Sequence, residues 1–352
     1  MKKFIFAFLL MGILLAGCGA KETIPEETTE SAAEEQLPER RFTVATSGSW
    51  KNVSRGILFE KYAEKLKDWS DGRIIIQLYD DSTLGDDLQL IEGVKLGTLN
   101  IINCVPSYLT PAVPEAGLLD IPTMFGSVEE FNALMDGGYF SVMQQYFEEN
   151  DLKLISCRAY DMRQMTSNVY VSRPEDIQGL RLRTMEVDSQ IAFWQSLGAM
   201  TIPLPFSQVK LALQLGSIDA QENPLYYLES IQLNEVQDYV ILTNHLPMVS
   251  CYVMNLEQWN ELEEEEKSLL ERFISEMNEE LIRETDKQNQ SIIASADSLG
   301  IRVIEAGDAL SGYLDTGMDA VLEMLTEKLG EEKVSLYIEA AEKAKAAAAA
   351  GN

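Results

Sequence analysis

Residues 158–168, RAYDMRQMTSN, and residues 173–224, RPEDIQGLRLRTMEVDSQIAFWQSLGAMTIPLPFSQVKLALQLGSIDAQENP, are the stretches around which this chain is organised. Five of its twelve arginines fall between Arg158 and Arg183, in a sequence with 57 acidic and 28 basic residues. A guanidinium is planar, always charged and matched to two carboxylate oxygens at once, so the clustering points to a bound anion. Solvated or salt-bridged arginines at strand ends are the ordinary alternative for any single one. In Gly179-Leu180-Arg181-Leu182-Arg183, alternation sets both arginines on one face of a short strand, with the leucines opposite. Arg163 stands before Thr166-Ser167-Asn168 and an apolar, strand-like Val169-Tyr170-Val171. Spacing alone does not decide which arginine meets a ligand.

The rest of the stretch alternates helix and extended chain. Ser189 to Leu197 is amphipathic and helical, and Gly198 stops it. Pro203-Leu204-Pro205 forces an extended entry into a helix from Ser207 to Leu215, with Ser207 as its N-cap and Gly216 at its end. Asp219 to Pro224 reads as a polar loop in which proline fixes the pose of Asn223.

These strings resemble the core of the solute receptors of TRAP (tripartite ATP-independent periplasmic) transporters, of the DctP type. The matching pieces are RQMTSN, PEDIQGLRLR, SLGAMTIPLPFSQVKLALQLGSIDAQENP and the later EVQDYVILTNH; STLGDD, EGVKLGTLN and LLDIPTMF extend a weaker similarity from about Phe42 to about Lys328. The resemblance implies that Arg183 binds a ligand carboxylate, that Arg163 and Asn223 assist, and that Phe206 lines the pocket. It also implies a membrane permease as partner, driven by an ion gradient. The family often carries an acidic or polar pocket residue near Val105, where this sequence is apolar.

Upstream, Lys2 and Lys3, an apolar run from Phe4 to Leu15 and Leu14-Leu15-Ala16-Gly17-Cys18 read as an export leader over residues 1–17. The run is too short to span a bilayer. LLAGC resembles a lipobox, which implies lipid on Cys18 and a membrane anchor. Residues 18–40 are a Glu-, Thr-, Ala- and Pro-rich tether with little to bury. A net charge of −29 argues against nucleic acid and anionic lipid surfaces as partners.

From Arg41 the chain is longer than one core usually holds. Strands are expected at Phe42 to Thr46, Ile74 to Tyr79 and Leu99 to Val105, with helices Arg55 to Trp69 and Asp86 to Leu96 between them. That alternation means a parallel, covered sheet whose ligand loops lie at the strands' carboxyl ends, making Trp50 and Asn103 candidates for the near side of a pocket. Asp86 and Asp87 suit a solvated helix start, with Asp87 also a candidate ligand-binding residue. Val128 to Glu148 reads as one helix and Leu152 to Tyr160 as a strand. Glu257 to about Leu299 reads as one long helix bracing two lobes, Ile301 to Ile304 as a strand and Met318 to Leu329 as a helix. The alanine-rich end from Ala340 is expected to fray.

The fold class is therefore α/β, a two-lobed periplasmic-binding-protein-like fold with a long bracing helix. Lobe I takes residues 41–160 with about 249–288, lobe II takes 161–248 with about 289–330, and 331–352 form a C-terminal helix and tail. Cys104, Cys157 and Cys251 read as small buried hydrophobes, and the single His245 as a packing or surface group. Neither supports a metal site, and no nucleotide loop or nucleophile elbow is present, so no cofactor, metal or catalytic residue is expected. The leading function is an extracytoplasmic receptor for a small organic acid (a C4-dicarboxylate, a sugar acid or a related carboxylate). The alternative is a secreted lipoprotein enzyme acting on small acids.

Overall fold

The computed structural model describes residues 39–351. The leader, Cys18 and the tether as far as residue 38 lie outside the described residues. No helix among those described is long and apolar enough to cross a membrane.

Among the described residues, nine strands form one mixed sheet. They are β1 (Arg40–Ala45), β2 (Ile74–Tyr79), β3 (Ile101–Cys104), β4 (Leu152–Ser167), β5 (Arg181–Thr184), β6 (Met200–Pro203), β7 (Ala220–Asn223), β8 (Tyr239–Asn255) and β9 (Arg302–Glu305). The order is β2-β1-β3-β8-β4-β7-β5-β6, with β9 also on β8. β1 pairs in parallel with β2 and β3, as the strand–helix–strand reading requires. The sheet is not parallel throughout, because β3, β8, β4 and β7 pair antiparallel in succession. Two long strands supplied by distant segments cause this, and sequence alternation does not announce their pairing.

β4 and β8 run through both halves of the molecule. Leu152 to Ala159 pairs with Val249 to Asn255 beside β3, whereas Met165 to Ser167 pairs with Tyr239 to Ile241 beside β7 and β9. The register slips three times along the pair, at Leu154/Ser156 within the first zone and at Ala159/Asp161 and Arg163/Met165 between the two. Each slip is an irregularity that bends and twists the pair. At the last one, Leu242 to His245 bulge opposite Gln164 alone. The Gln164 side chain clamps that bulge by donating to Asn244 Oδ1 (2.6 Å) and accepting from the Asn244 N–H (2.9 Å).

Several local expectations change. Strand β4 absorbs the RQMTS segment, and Val169-Tyr170-Val171 is irregular, with Tyr170 exposed. Residues 220–223 are a buried strand rather than a polar loop, since their polar side chains find partners inside. The helix expected from Val128 to Glu148 breaks at Met135–Tyr139, where Gly138 takes φ 102°, a conformation glycine adopts freely. The long helical pattern splits into Leu256–Asn260 and a 32-residue helix, Glu264–Ser295, which packs along the first helix, Ser54–Trp69, and along β4. A helix at Asp308–Thr316 was not foreseen. The C-terminal segment does not fray at Ala340: helix Glu331–Gly351 continues, burying Tyr337, Ala341 and Ala344 and packing on helix Val128–Leu134.

Candidate functional site

Arg163 lies on β4 beside the bulge and Glu222 on the neighbouring β7, which brings opposite charges together inside the protein. The guanidinium grips the carboxylate through Nε–Oε2 (2.5 Å) and Nη2–Oε1 (2.8 Å), and Nη2 also donates to Asn223 Oδ1 (3.0 Å). Both side chains are fully buried. Burial alone would raise the Glu222 carboxyl, but the Arg163 charge and the hydrogen bonds from His245 and Arg163 bring it down to about 2. His245, carried by the bulge, reaches Glu222 with Nε2 (3.1 Å) and Thr243 Oγ1 with Nδ1 (2.8 Å). It is buried between Phe193 and Trp194, so the surface role considered for it does not hold.

Arg183 presents the opposite case. It is 1% exposed, and among the described residues no carboxylate stands in ion-pair contact with it. Its Nε (2.9 Å) and Nη2 (2.6 Å) both donate to the Leu204 carbonyl. Pro203 and Pro205 flank that residue and fix the backbone that aims the carbonyl. Burial pulls the Arg183 pKa below its ordinary value. The other three arginines of the cluster pair with acids near the surface: Arg158 with Asp136, Arg173 with Asp176 and Arg181 with Asp219. Arg181 and Arg183 share a face of β5, but only the second points into the interior.

One cavity of about 50 Å³ is lined by Arg183, Arg163, Asn223, Phe206, Trp50, Asn103 and Asp87 together. Seven candidates from seven separate segments thus meet at one place. Asp87 is not at a solvated helix start: it is 5% exposed, and burial raises its carboxyl to about 6 against the opposing Ser47 hydroxyl and Arg183 charge. Its neighbour Asp86 stays at the rim, accepting from Ser82 Oγ (3.0 Å) and Ser207 Oγ (2.9 Å). Ser207 therefore reaches a distant segment instead of capping its own helix, which starts at Val209. Asn103 is committed within the protein: Oδ1 accepts from Arg55 Nη2 (2.9 Å), and Nδ2 donates to Ser250 Oγ (2.6 Å).

Arg55, Tyr108, Tyr227 and Met185 also line the cavity and were missed by sequence reasoning. The Tyr227 ring lies 4.7 Å from that of Phe206, making an aromatic wall. Gly48 has no side chain because a Cβ there would fall 2.8 Å from the Trp50 indole nitrogen. Arg55 looked like an ordinary residue opening a helix; its only sequence signal was a basic residue five positions after a candidate pocket tryptophan. Cys104, Cys251 and Cys157 stand in one row across β3, β8 and β4 as free buried thiols, consistent with packing roles. No metal-binding cluster occurs among the described residues.

Comparison with known proteins gives a family match described as "Bacterial extracellular solute-binding protein, family 7" over residues 47–328. The chain is 29% identical to a solute-binding protein of Roseobacter denitrificans, over 79% of this chain and 85% of that one. It is 29% identical to the 2,3-diketo-L-gulonate-binding periplasmic protein of Escherichia coli, over 79% and 83% of the two chains. A solved Roseobacter denitrificans TRAP periplasmic solute-binding protein with bound L-galactonate superimposes with TM-score 0.74 at 27% identity, covering 86% of this chain and 99% of that one. The galactonate complex of a sugar acid binding protein from Advenella mimigardefordensis has the same fold, with TM-score 0.81 at 23% identity, covering 88% and 99%.

Proposed function

The chain belongs to the family 7 bacterial extracellular solute-binding proteins, the solute receptors of TRAP transporters, and from that premise we propose that it holds one small carboxylate on Arg183 inside the cavity. One observation carries the assignment: Arg183 is a fully buried cation with no acid partner among the described residues, beside an arginine that already has one. A buried charge without a counter-ion is costly, and a ligand carboxylate supplies the missing charge with the fork geometry a guanidinium prefers. Arg163, neutralised by Glu222, orients Asn223 through its Nη2 and lines the same wall. Phe206, Tyr227 and Trp50 exclude water around the carbon skeleton. The family consists of receptors, and the alternative of an enzyme acting on small acids does not fit it.

The lobe boundaries proposed from sequence, near residues 160 and 248, coincide with the irregular middle of β4 and β8. Opening would bend both strands there and part Ser207 from Asp86 at the rim, a contact made in this structure. Lipid on Cys18 would keep the receptor beside its permease. Relatives that bind 2,3-diketo-L-gulonate and L-galactonate support an organic acid as ligand. The test is a thermal-shift screen of organic acids run alongside product analysis. Stabilisation by an acid that is recovered unchanged is the expected result; turnover, or no response to any acid, would overturn the reading.

A further inference from the structure

Arg55 is a second guanidinium whose charge the protein leaves unbalanced. It sits in the first turn of helix Ser54–Trp69, 3% exposed, and lines the same cavity as Arg183. The Trp50 ring lies 3.9 Å and the Tyr160 ring 4.5 Å from its central carbon, so two π faces hold it. Its Nη2 donates to Asn103 Oδ1 (2.9 Å) and Ser250 Oγ (2.5 Å), while Nε is buried with no partner among the described residues. Among the described residues no acid makes an ion pair with it. Rings and neutral oxygens position the group, and none of them cancels its charge.

A charge count of the cavity wall then constrains the ligand. Arg163 is cancelled by Glu222, Arg55 and Arg183 remain positive, and Asp87 is the one acid among the lining residues. A single negative charge completes the balance. We propose that Arg55 and Asp87 together select a monocarboxylate bearing hydroxyl groups, with Arg55 donating to a ligand hydroxyl oxygen and Asp87 accepting from a ligand hydroxyl. A hydroxyl can satisfy both, because it is donor and acceptor at once. The proposal rests on the carboxylate-receptor reading above. A dicarboxylate would leave the closed site one charge too negative unless a proton were taken up. Asp87 is the group to take it: burial already holds its carboxyl near 6. Around it stand Ser47 from the loop after β1, Cys104 at the end of β3, Tyr108, Arg183 from β5 and Asp86 from its own helix turn.

The experiment is calorimetric titration of the whole protein with acids matched in carbon number but differing in hydroxyls and charge: gluconate and galactonate, hexanoate, adipate and galactarate. At least one hexonate should bind about ten-fold or more tighter than hexanoate, as expected for a hydrogen bond to a charged donor. Adipate and galactarate should bind more weakly than that hexonate, with heats that depend on the buffer because a proton is taken up. Arg55→Gln removes a charge as well as a donor, so both acids should weaken, the hexonate by about ten-fold more than hexanoate, which erases its advantage. Should that variant fail to fold, the ranking of acids on the natural protein, and a rise of adipate relative to the hexonates in Asp87→Asn, decide the question. Dicarboxylates binding tighter than the hexonates without proton uptake would overturn the proposal. So would an Arg55→Gln change that weakens hexonate and hexanoate by the same factor. If no acid binds at all, the carboxylate reading itself fails; if acids bind in another order, only this proposal does.

Discussion

Arg183→Ala should separate ligand affinity from stability, because the two buried arginines of the cavity are held in different ways. Arg183 makes two hydrogen bonds to the Leu204 carbonyl and has no acid partner among the described residues, whereas Arg163 is locked to Glu222. In the closed complex a ligand carboxylate would lose its water and lean on Arg183. Truncating one partner of a desolvated, hydrogen-bonded charge pair costs about 2–5 kcal/mol. At about 1.4 kcal/mol per factor of ten, affinity should fall roughly thirty-fold to several thousand-fold. Without ligand the ledger differs. The substitution loses hydrogen bonds worth about 1.5–3 kcal/mol each at a charged donor, but it also removes an unpaired buried cation whose desolvation costs several kcal/mol. These oppose one another, so the Tm of the ligand-free variant should stay near that of the parent. Arg163→Ala should instead destabilise the free protein by about 3–5 kcal/mol, since it strands the Glu222 carboxylate. Arg183→Lys keeps the charge but loses the fork and should still bind clearly more weakly. Arg181→Ala, at the surface with Asp219, should leave affinity almost unchanged. Titration calorimetry and thermal melts on these variants decide the matter. If Arg181→Ala costs more affinity than Arg183→Ala while both stay folded, or if Arg183→Ala alone collapses the free protein, the assignment of the anchor is refuted.

Three further expectations concern other parts of the chain. The Glu222 carboxyl, depressed to about 2, contributes stability that is full above its ordinary 4.5 and lost as pH falls through 2; Asp87, raised from 3.8 to about 6, works the other way, its contribution being full below 3.8 and lost as pH rises through 6. Asp87→Asn should therefore raise the ligand-free Tm at neutral pH and flatten its slope between these last two values, and an unchanged slope would count against the burial argument. Cys18→Ser should move the protein from membranes to the soluble or secreted fraction, and continued membrane retention of that variant would remove the lipid-anchor proposal. Small-angle scattering should give a smaller radius of gyration with saturating ligand, and coincident curves would argue against closure about β4 and β8.

Reading from sequence succeeded where local chemistry and tertiary packing ask for the same thing. Ile74–Tyr79 is apolar at five of six positions and is a strand, though an edge strand in which only Ile74 and Ile76 are buried; Met318–Leu329 has a helical stripe and is a helix. It failed where polar residues are satisfied by partners far along the chain. Residues 220–223, AQEN, look like a loop because, apart from the Asn223 Nδ2–Gln221 Oε1 bond, their side-chain partners lie far along the chain. In the fold, Gln221 bonds Thr166, and Glu222 bonds Arg163 and His245. The family resemblance marked Arg163, Arg183, Asn223 and Phe206, yet Glu222, between two of the quoted positions, went unremarked. Arg55 was invisible for a related reason. Its importance lies in what is missing around it, an acid, and a missing neighbour leaves no trace in linear spacing. Trp50 and Asn103 were proposed as possible ligand contacts. The geometry shows that each also grips Arg55, through the indole face and the side-chain amide respectively.

The path of β4 and β8 has a consequence for how the chain acquires its structure. β3 lies between β1 and the far end of β8, so the N-terminal hundred or so residues cannot complete their sheet until residues 251–254 arrive. β7 likewise needs the last turns of β4, and β9 needs the beginning of β8. Neither half contains its own central strand, so separately expressed halves should not be autonomous folding units, and unfolding should proceed as one cooperative transition instead of two. Pairings this distant in sequence carry a large loop-closure entropy before any contact repays it, which makes refolding slow relative to a helical protein of equal size. The same continuity that lets a bend pass between the halves thus obliges the chain to fold all at once.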